Sequence, residues 1–441
     1  MKLLVIGGNP AGMSAASRVK RRDPSWEVTV LEATREVSYG ACGLPYYVSG
    51  LNNDLDLIRI RKAPEFEAQG IRVRLGCRVT KVDLAQKTVY ACDEQGQELV
   101  EQYDKLMIAS GSSPKRPPIP GIEQKNIFVL KTLDHAQKLR EALEKSRGHV
   151  VIIGGGAIGL EIAESCLLQK AASVRVIEAL DQVMNGFDEE FAGEMLEELR
   201  RQGVAVDLSE RVQSFEGTDG SVSAVVTDKG RYPADLVVLS IGVSPNTQFV
   251  DGIEKLGNGA IVTDTAMRTS VADVYAAGDC ASVWHKLLQK PMYIALGTNA
   301  NKQGRLAGDS ILGRPACFDR ALGTSMLRFM NLEVARTGLT EREAAAAGMQ
   351  VKTCTVTTRS HARYYPDPAE LTVKLCYRAD DHVLLGAQVM GRKEAAIRID
   401  VFAVAVDQGM TTEELGFVDL GYAPPFAAVW DAVQVAANAS K

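Results

Sequence analysis

Two kinds of residue in this chain could do chemistry: a cysteine set among glycines, and glycine turns able to cradle phosphates. The stretch Ser38-Tyr39-Gly40-Ala41-Cys42-Gly43-Leu44-Pro45-Tyr46 follows an apolar strand and opens a helical run. A thiol at a helix start meets the positive end of the dipole, which favours the nucleophilic thiolate. No second cysteine follows within the next turns: position 47 is Tyr47, and the next cysteine is Cys77. An oxidised partner for Cys42 must therefore come from outside the chain, as a mixed disulfide, a persulfide or a sulfenic acid. The other cysteines (77, 92, 166, 280, 317, 354 and 376) read as small hydrophobes. No CxxC pair and no Cys/His cluster at zinc spacing occurs, so neither a metal site nor a disulfide framework is expected, and a reducing cytoplasm fits.

The glycines recur in one grammar. Strand Lys2–Ile6 runs into Gly7-Gly8-Asn9-Pro10-Ala11-Gly12 and a helix over Met13–Arg21, and the next strand, Glu27–Leu31, ends at Glu32. Strand Val150–Ile153 likewise runs into Gly154-Gly155-Gly156-Ala157-Ile158-Gly159, a helix through Leu168, and strand Ser173–Ile177 ending at Glu178. In such a turn the first glycine permits the tight bend, the second lets backbone approach a pyrophosphate, and the third lets helix and strand pack closely. The helix N-terminus then offers unpaired N–H groups to the phosphates. Gly154, Gly156 and Gly159 complete GxGxxG; in the first copy Asn9 stands where the second glycine belongs. Glu178 is placed to accept from a ribose hydroxyl. A carboxylate there repels a 2'-phosphate, and no Arg or Lys follows Glu178 before Arg200, so NADH is expected over NADPH.

Other segments must assemble these turns into domains. Asp104–Gly111 is a strand entering a turn at Ser110 and Gly111, and the proline-rich Ser112–Pro120 marks a domain crossing. Asp235–Ile241, ending at Gly242, closes the second unit, and the chain returns through Val274–Asp279 and a helix over Asn299–Leu312. Strands over Val351–Thr358, Glu370–Tyr377 and His382–Val389 then precede helices over Glu394–Val406 and Phe426–Asn438, an α+β pattern. The 441 residues carry a net charge of -5 with no basic block, which argues against nucleic acid or an anionic membrane as partner. The N-terminal apolar run is too short for a signal peptide, and no stretch reaches membrane-spanning length.

The order GGxxAG, acidic strand end, ASG turn, complete GxGxxG and YAAGD resembles the two-dinucleotide flavoprotein disulfide reductases over essentially the whole chain. SxxxCGxPY resembles their single-cysteine branch, which holds coenzyme A disulfide reductases, NADH-dependent persulfide and polysulfide reductases, and NADH oxidases. The resemblance implies an α/β fold with two Rossmann-like dinucleotide-binding domains, for FAD and NAD, plus a C-terminal α+β dimerisation domain. The implied bounds are 1–112 with 247–324 for FAD, 113–246 for NAD(P)H and 325–441 for dimerisation. Gly7, Gly12 and Glu32 would hold the ADP part of FAD, with Ser110 and Gly111 alongside and Asp279 on the ribityl chain. Gly154, Gly156, Gly159, Glu178 and Gly242 would hold the nicotinamide nucleotide, with Glu161 near its ring.

Ser360-His361-Ala362-Arg363-Tyr364-Tyr365-Pro366 and Gly421-Tyr422-Ala423-Pro424-Pro425-Phe426 resemble the tyrosine segments of coenzyme A disulfide reductases, which reach the partner subunit's cysteine. Tyr364 and Tyr422 are thus expected beside Cys42 in catalysis, in an isologous homodimer. Ser14, Arg18, Arg21 and Ser38 are the expected substrate contacts. Ala41 stands where coenzyme A disulfide reductases often have asparagine, and Gly70 and Trp430 where they have lysines. The expected function is NADH-driven reduction of a small disulfide, persulfide or polysulfide through Cys42. One rival is an oxidase that reduces O2 with a Cys42 sulfenic acid, although Pro10 occupies the place of the oxidases' histidine. Another is a flavoprotein redox sensor without turnover.

Overall fold

The computed structural model describes residues 1–440. The chain divides into two compact units: Met1–Leu44 with Asn53–Lys115 and Val243–Ala321, and Pro45–Asn52 with Arg116–Gly242 and Leu322–Lys441.

The first unit is built on a five-stranded parallel sheet in the order Val274–Ala276, Lys105–Ile108, Lys2–Ile6, Glu27–Leu31 and Ile71–Arg74. Its strands read as near-continuous apolar runs because both faces are covered. Leu3 and Val5 pack with Ala15 and Val19 on one face, while Leu4 and Ile6 pack with Leu106 and Ile108 on the other. The period of two along a strand sends alternate side chains to opposite layers. The first helix runs Pro10–Arg22, three residues longer at its start than the sequence suggests, because Pro10 sits in the first turn where its missing N–H costs nothing. It lies against helix Gly297–Ile311 so closely that a Cβ on Gly304 would come 2.2 Å from the Ala11 carbonyl oxygen.

The second unit holds another five-stranded parallel sheet, ordered Ala205–Asp207, Ser173–Ile177, His149–Ile153, Leu236–Leu239 and Ile127–Val129. It also holds a five-stranded antiparallel sheet, ordered Ser325–Phe329, Leu332–Gly338, Leu384–Gly391, Glu370–Arg378 and Val351–Arg359. Helices Ile399–Gln408 and Ala432–Ala439 cover that sheet.

Three local expectations are corrected. The helix expected from Glu394 starts at Ile399, after a 3-10 turn, because Glu394 takes a left-handed φ of 60° that an α-helix cannot contain. The last helix starts at Ala432, capped by the Asp431 carboxylate, and not near Phe426. The proline-rich crossing is not wholly irregular: Ser112–Pro114 pairs antiparallel with Val243–Pro245. Two antiparallel insertions, over Arg78–Gln102 and Val212–Pro233, carry no phosphate-turn grammar and are not anticipated by it. Among the described residues no helix is long and apolar enough to cross a membrane.

Candidate active site

In the first unit Gly7 takes φ 104°, and a Cβ there would lie 2.1 Å from the Ala109 carbonyl oxygen. A Cβ on Gly12 would lie 1.9 Å from the Gly7 oxygen, so strand, turn and helix meet at distances only glycine allows. Glu32 Oε2 accepts from the Gly8 N–H at 2.7 Å, and Oε1 accepts from the Thr34 N–H and hydroxyl, both at 2.8 Å. The carboxylate is thereby fixed at the strand end. A cavity of about 320 Å³ opens beside it, lined by Gly7, Glu32, Cys77, Arg78, Ser110 and Asn246 among others. Ser110 donates to the Asn246 carbonyl at 2.6 Å. Ser112, which sequence reasoning passed over, donates to Asp279 Oδ2 at 2.9 Å. Gly111 and Gly278 both take positive φ in the turns flanking these side chains.

The segment leading to Cys42 is fastened to this turn. Asn9 Oδ1 accepts from the Tyr39 N–H at 3.0 Å, and the Gly8 carbonyl accepts from the Ser38 N–H at 2.9 Å. The Gly40 N–H donates to Ile58 and the Ile60 N–H to Ser38, both at 2.9 Å. Arg59 holds Glu36 with two parallel bonds of 2.9 and 2.6 Å, and this carboxylate and Asp56 raise its affinity for its proton. Burial and the nearby Glu32 carboxylate push the Tyr39 hydroxyl up to about 12. Ser38 itself is in the left-handed region, φ 49°, which turns the chain toward Cys42. Cys42 is exposed, in the 3-10 turn Ala41–Gly43, and helix Leu44–Ser49 follows directly. All eight cysteines are free thiols.

The expected substrate contacts lie on the helix Pro10–Arg22. Ser14 donates to Asn301 Oδ1 at 3.2 Å. Arg18 grips Asp309 through Nε at 2.8 Å and Nη2 at 2.7 Å, so one edge of its guanidinium is engaged within the helix–helix seam. Arg21 is exposed.

In the second unit Gly154 takes φ 108°, and a Cβ on Gly159 would meet the Gly154 oxygen at 2.0 Å. A Cβ on Gly156 would meet nothing within 4 Å, so the middle glycine leaves its backbone open to a ligand. Glu178 Oε2 accepts from the Gly155 N–H at 2.6 Å and Oε1 from the Leu180 N–H at 2.9 Å, as Glu32 does in the first turn. Gly242 has φ 89° at the end of the neighbouring strand. Glu161 is half-buried in a narrow cleft with Pro45, Tyr46, Ser49 and Glu164. Burial, reinforced by the Glu164 charge, raises its carboxyl to about 7.

Tyr364 and Tyr422, 58 residues apart in sequence, are hydrogen-bonded through their hydroxyls and exposed at 74% and 43%. That bond is the largest influence raising the Tyr422 hydroxyl above the ordinary tyrosine range. The structure thus joins the two tyrosines within one unit, and it groups Gly7, Gly12, Glu32, Ser110, Asp279, Ser38 and Cys42 within the other. Arg59 escaped the sequence reading because its contribution is a contact and not a motif, and Asn9 stood out there only as a departure from the glycine pattern.

Comparison with known proteins agrees with this layout. The description pyridine nucleotide-disulphide oxidoreductase matches residues 1–304, and the dimerisation domain of the same family matches 324–433. The chain is 39% identical over 443 residues to an NAD(P)H coenzyme A polysulfide/persulfide reductase of Pyrococcus horikoshii, covering all of this chain and 98% of that protein. It is 31% identical to an NADH oxidase of Enterococcus faecalis, covering 100% and 99% of the two chains. The solved NAD-dependent persulfide reductase from A. fulgidus superposes with a TM-score of 0.96 at 37% identity, over 99% of this chain and 82% of that one. The chain belongs to the pyridine nucleotide-disulphide oxidoreductase family.

Proposed function

We propose that this protein uses NADH to reduce a low-molecular-weight disulfide, persulfide or polysulfide, of the coenzyme A type, through Cys42. The observation that carries this reading is an exposed thiol with no second cysteine beside it in sequence, on a segment bonded to the first dinucleotide turn. The residues of the first unit fit FAD: Gly7 and Gly12 leave no room for a Cβ, Glu32 is held by three hydrogen bonds, and the cavity beside them is of ligand size. When bound, FAD supplies two-electron transfer between the nicotinamide nucleotide and sulfur. Glu32 would bind its ribose, and Ser110, Gly111 and Asp279 the rest of its length.

Cys42 does the sulfur chemistry by exchange. Its thiolate attacks one sulfur of the substrate disulfide, forming a mixed disulfide and expelling the first thiolate. Two electrons and a proton then cleave the mixed disulfide, returning the Cys42 thiolate and releasing the second thiol. The Tyr364–Tyr422 pair donates a hydroxyl proton to a departing thiolate. In the homodimer those hydroxyls would come from the other subunit. Ser14, Arg21 and Ser38 remain as substrate contacts, whereas Arg18 acts through Asp309 by holding the helix.

Glu178 supports NADH, because its carboxylate, fixed by the Gly155 and Leu180 N–H groups, would accept from ribose hydroxyls and oppose a 2'-phosphate. The free thiols suit a reducing cytoplasm. The similarity to an NADH oxidase keeps one other reading: oxygen as acceptor and Cys42 as sulfenic acid. Anaerobic and aerobic NADH oxidation against coenzyme A disulfide, coenzyme A persulfide, polysulfide and oxygen separates the two. Sulfur-dependent turnover without oxygen is expected; turnover that needs oxygen and ignores added sulfur substrates would overturn the proposal.

A further inference from the structure

The two tyrosines come from separate loops. Tyr364 lies between strands Val351–Arg359 and Glu370–Arg378, and Tyr422 lies between helices Thr412–Gly416 and Ala432–Ala439. Both are exposed, Tyr364 more than Tyr422, so burial alone does not fix them. What sets the distance between two exposed side chains is the register of their backbones.

One side chain reaches both backbones. Arg398, only 8% exposed, donates through Nη2 to the Ser360 carbonyl at 2.5 Å and to the Phe426 carbonyl at 3.2 Å. Ser360 opens the first tyrosine loop, and Phe426 follows Tyr422 by four residues within the second. Its Nη1 donates to the Glu394 carbonyl, and its Nε lies 3.3 and 3.1 Å from the two oxygens of Asp431, the cap of the last helix. A planar guanidinium can serve four groups in fixed directions at once, which an ammonium cannot. The buried charge is matched by the largely buried Asp431 carboxylate, and the carbonyls of Ser360, Phe426 and Glu394 take the remaining donors. The first loop is further closed on itself: the buried His361 bonds Ser360 Oγ and the Pro366 carbonyl, both at 2.9 Å, and stacks edge-on against Tyr365. These contacts tie Tyr364 and Tyr365 to the backbone position of Ser360.

We propose that Arg398 is a positioning residue that holds the Tyr364 and Tyr422 loops in the register their hydroxyl contact requires. The inference rests on the catalytic reading of that tyrosine pair. Arg398 itself touches no reacting atom.

The test is a cycle in the FAD-loaded dimer, comparing R398Q in the wild-type and in the Y364F/Y422F background. Two half-reactions are followed anaerobically: flavin reduction by NADH, and reoxidation by coenzyme A disulfide or polysulfide. R398Q is expected to slow reoxidation at least tenfold in the wild-type background and less than twofold when both hydroxyls are absent. Equal slowing in the two backgrounds, or none in either while Y364F/Y422F is slow, overturns the role of Arg398. Wild-type reoxidation by Y364F/Y422F overturns the tyrosine reading itself, a separate outcome. If R398Q does not assemble, R398K, which keeps the charge beside Asp431 but not the fork, is compared in the same two backgrounds. A readout apart from turnover is the tyrosinate absorbance titration, taken as the difference from Y422F. In R398Q the Tyr422 transition should return to the ordinary tyrosine range; an unmoved transition counts against the proposal.

Discussion

The side-chain oxygen of Asn9 accepts a hydrogen bond from the backbone N–H of Tyr39 at 3.0 Å. Asn9 fills the place of the middle glycine in the first phosphate turn, and Tyr39 is three residues before Cys42. The departure from the glycine pattern thus links the cofactor turn to the nucleophile's segment. N9G restores the pattern and cuts the link. Loss of one such bond costs about 1 kcal/mol, or about fivefold. FAD retention and flavin reduction by NADH should hold within twofold while disulfide turnover falls about fivefold. Parallel losses in both would confine Asn9 to cofactor binding.

C42S should keep yellow, NADH-reducible flavin and lose disulfide turnover by at least about a hundredfold, since a hydroxyl neither ionises near neutral pH nor exchanges with disulfides. Anaerobic reduction followed by coenzyme A disulfide addition reads both properties in one cuvette. Turnover retained in C42S would move the chemistry to another group.

What the sequence disclosed follows from where the physics is local. Strand Lys2–Ile6 and the turn at Gly7 are legible because a buried parallel strand and a left-handed glycine leave a mark within a dozen residues. Glu32 and Glu178 are legible for the same reason. Arg398 is not, because its partners Ser360, Phe426 and Asp431 are scattered over more than seventy residues and no spacing rule joins them. Arg18 shows the converse: it has the right charge on the right helix, yet Asp309, 291 residues away, takes the Nε–Nη2 edge of its guanidinium. The helix wrongly begun at Glu394 failed on one residue's positive φ, which composition does not reveal.

Glu178 sets a prediction for nucleotide choice. Its carboxylate is anchored by the Gly155 and Leu180 N–H groups, so E178Q keeps an acceptor while deleting the charge. A unit charge about 4 Å from a 2'-phosphate is worth from about 1 kcal/mol in bulk water to about 4 kcal/mol at the effective dielectric of a protein surface. The ratio of kcat/KM for NADH over NADPH should fall about tenfold, chiefly through the NADPH KM. An unchanged ratio would place the discrimination elsewhere.

Lys374 is the stability test. It is 6% exposed, and its Nζ lies 2.7–3.1 Å from carboxylates of Glu190, Asp188 and Glu341. Asp188 is itself buried, precedes helix Glu189–Arg201 and is bonded by Gln388 from the antiparallel sheet. Removing the one cation leaves that carboxylate unpaired, a loss of about 3–5 kcal/mol. K374M should lower the thermal midpoint of the holoenzyme by several degrees, and K374M/D188N should recover most of it. No recovery would mean that packing, and not charge, holds this seam.

Glu161 gives stability a pH dependence with a defined sign. Burial, with help from the Glu164 charge, raises its carboxyl from the ordinary glutamate range to about 7 in the folded protein. Glu164 is shifted the same way, again by burial, against the opposing Met330 N–H and the Arg328 charge. Between the unfolded value near 4.3 and about 7 the folded state holds the extra proton, so unfolding releases it and stability declines as pH rises through that window. Below the window the protonated side chain costs nothing. E161Q imitates the protonated form at every pH. Its thermal midpoint should match the wild type at pH 4 and exceed it at pH 8, with the gap opening between those values. A gap that is constant with pH would show that Glu161 is charged throughout, and that its cleft is wetter than the packing of Pro45, Tyr46 and Ser49 around it implies.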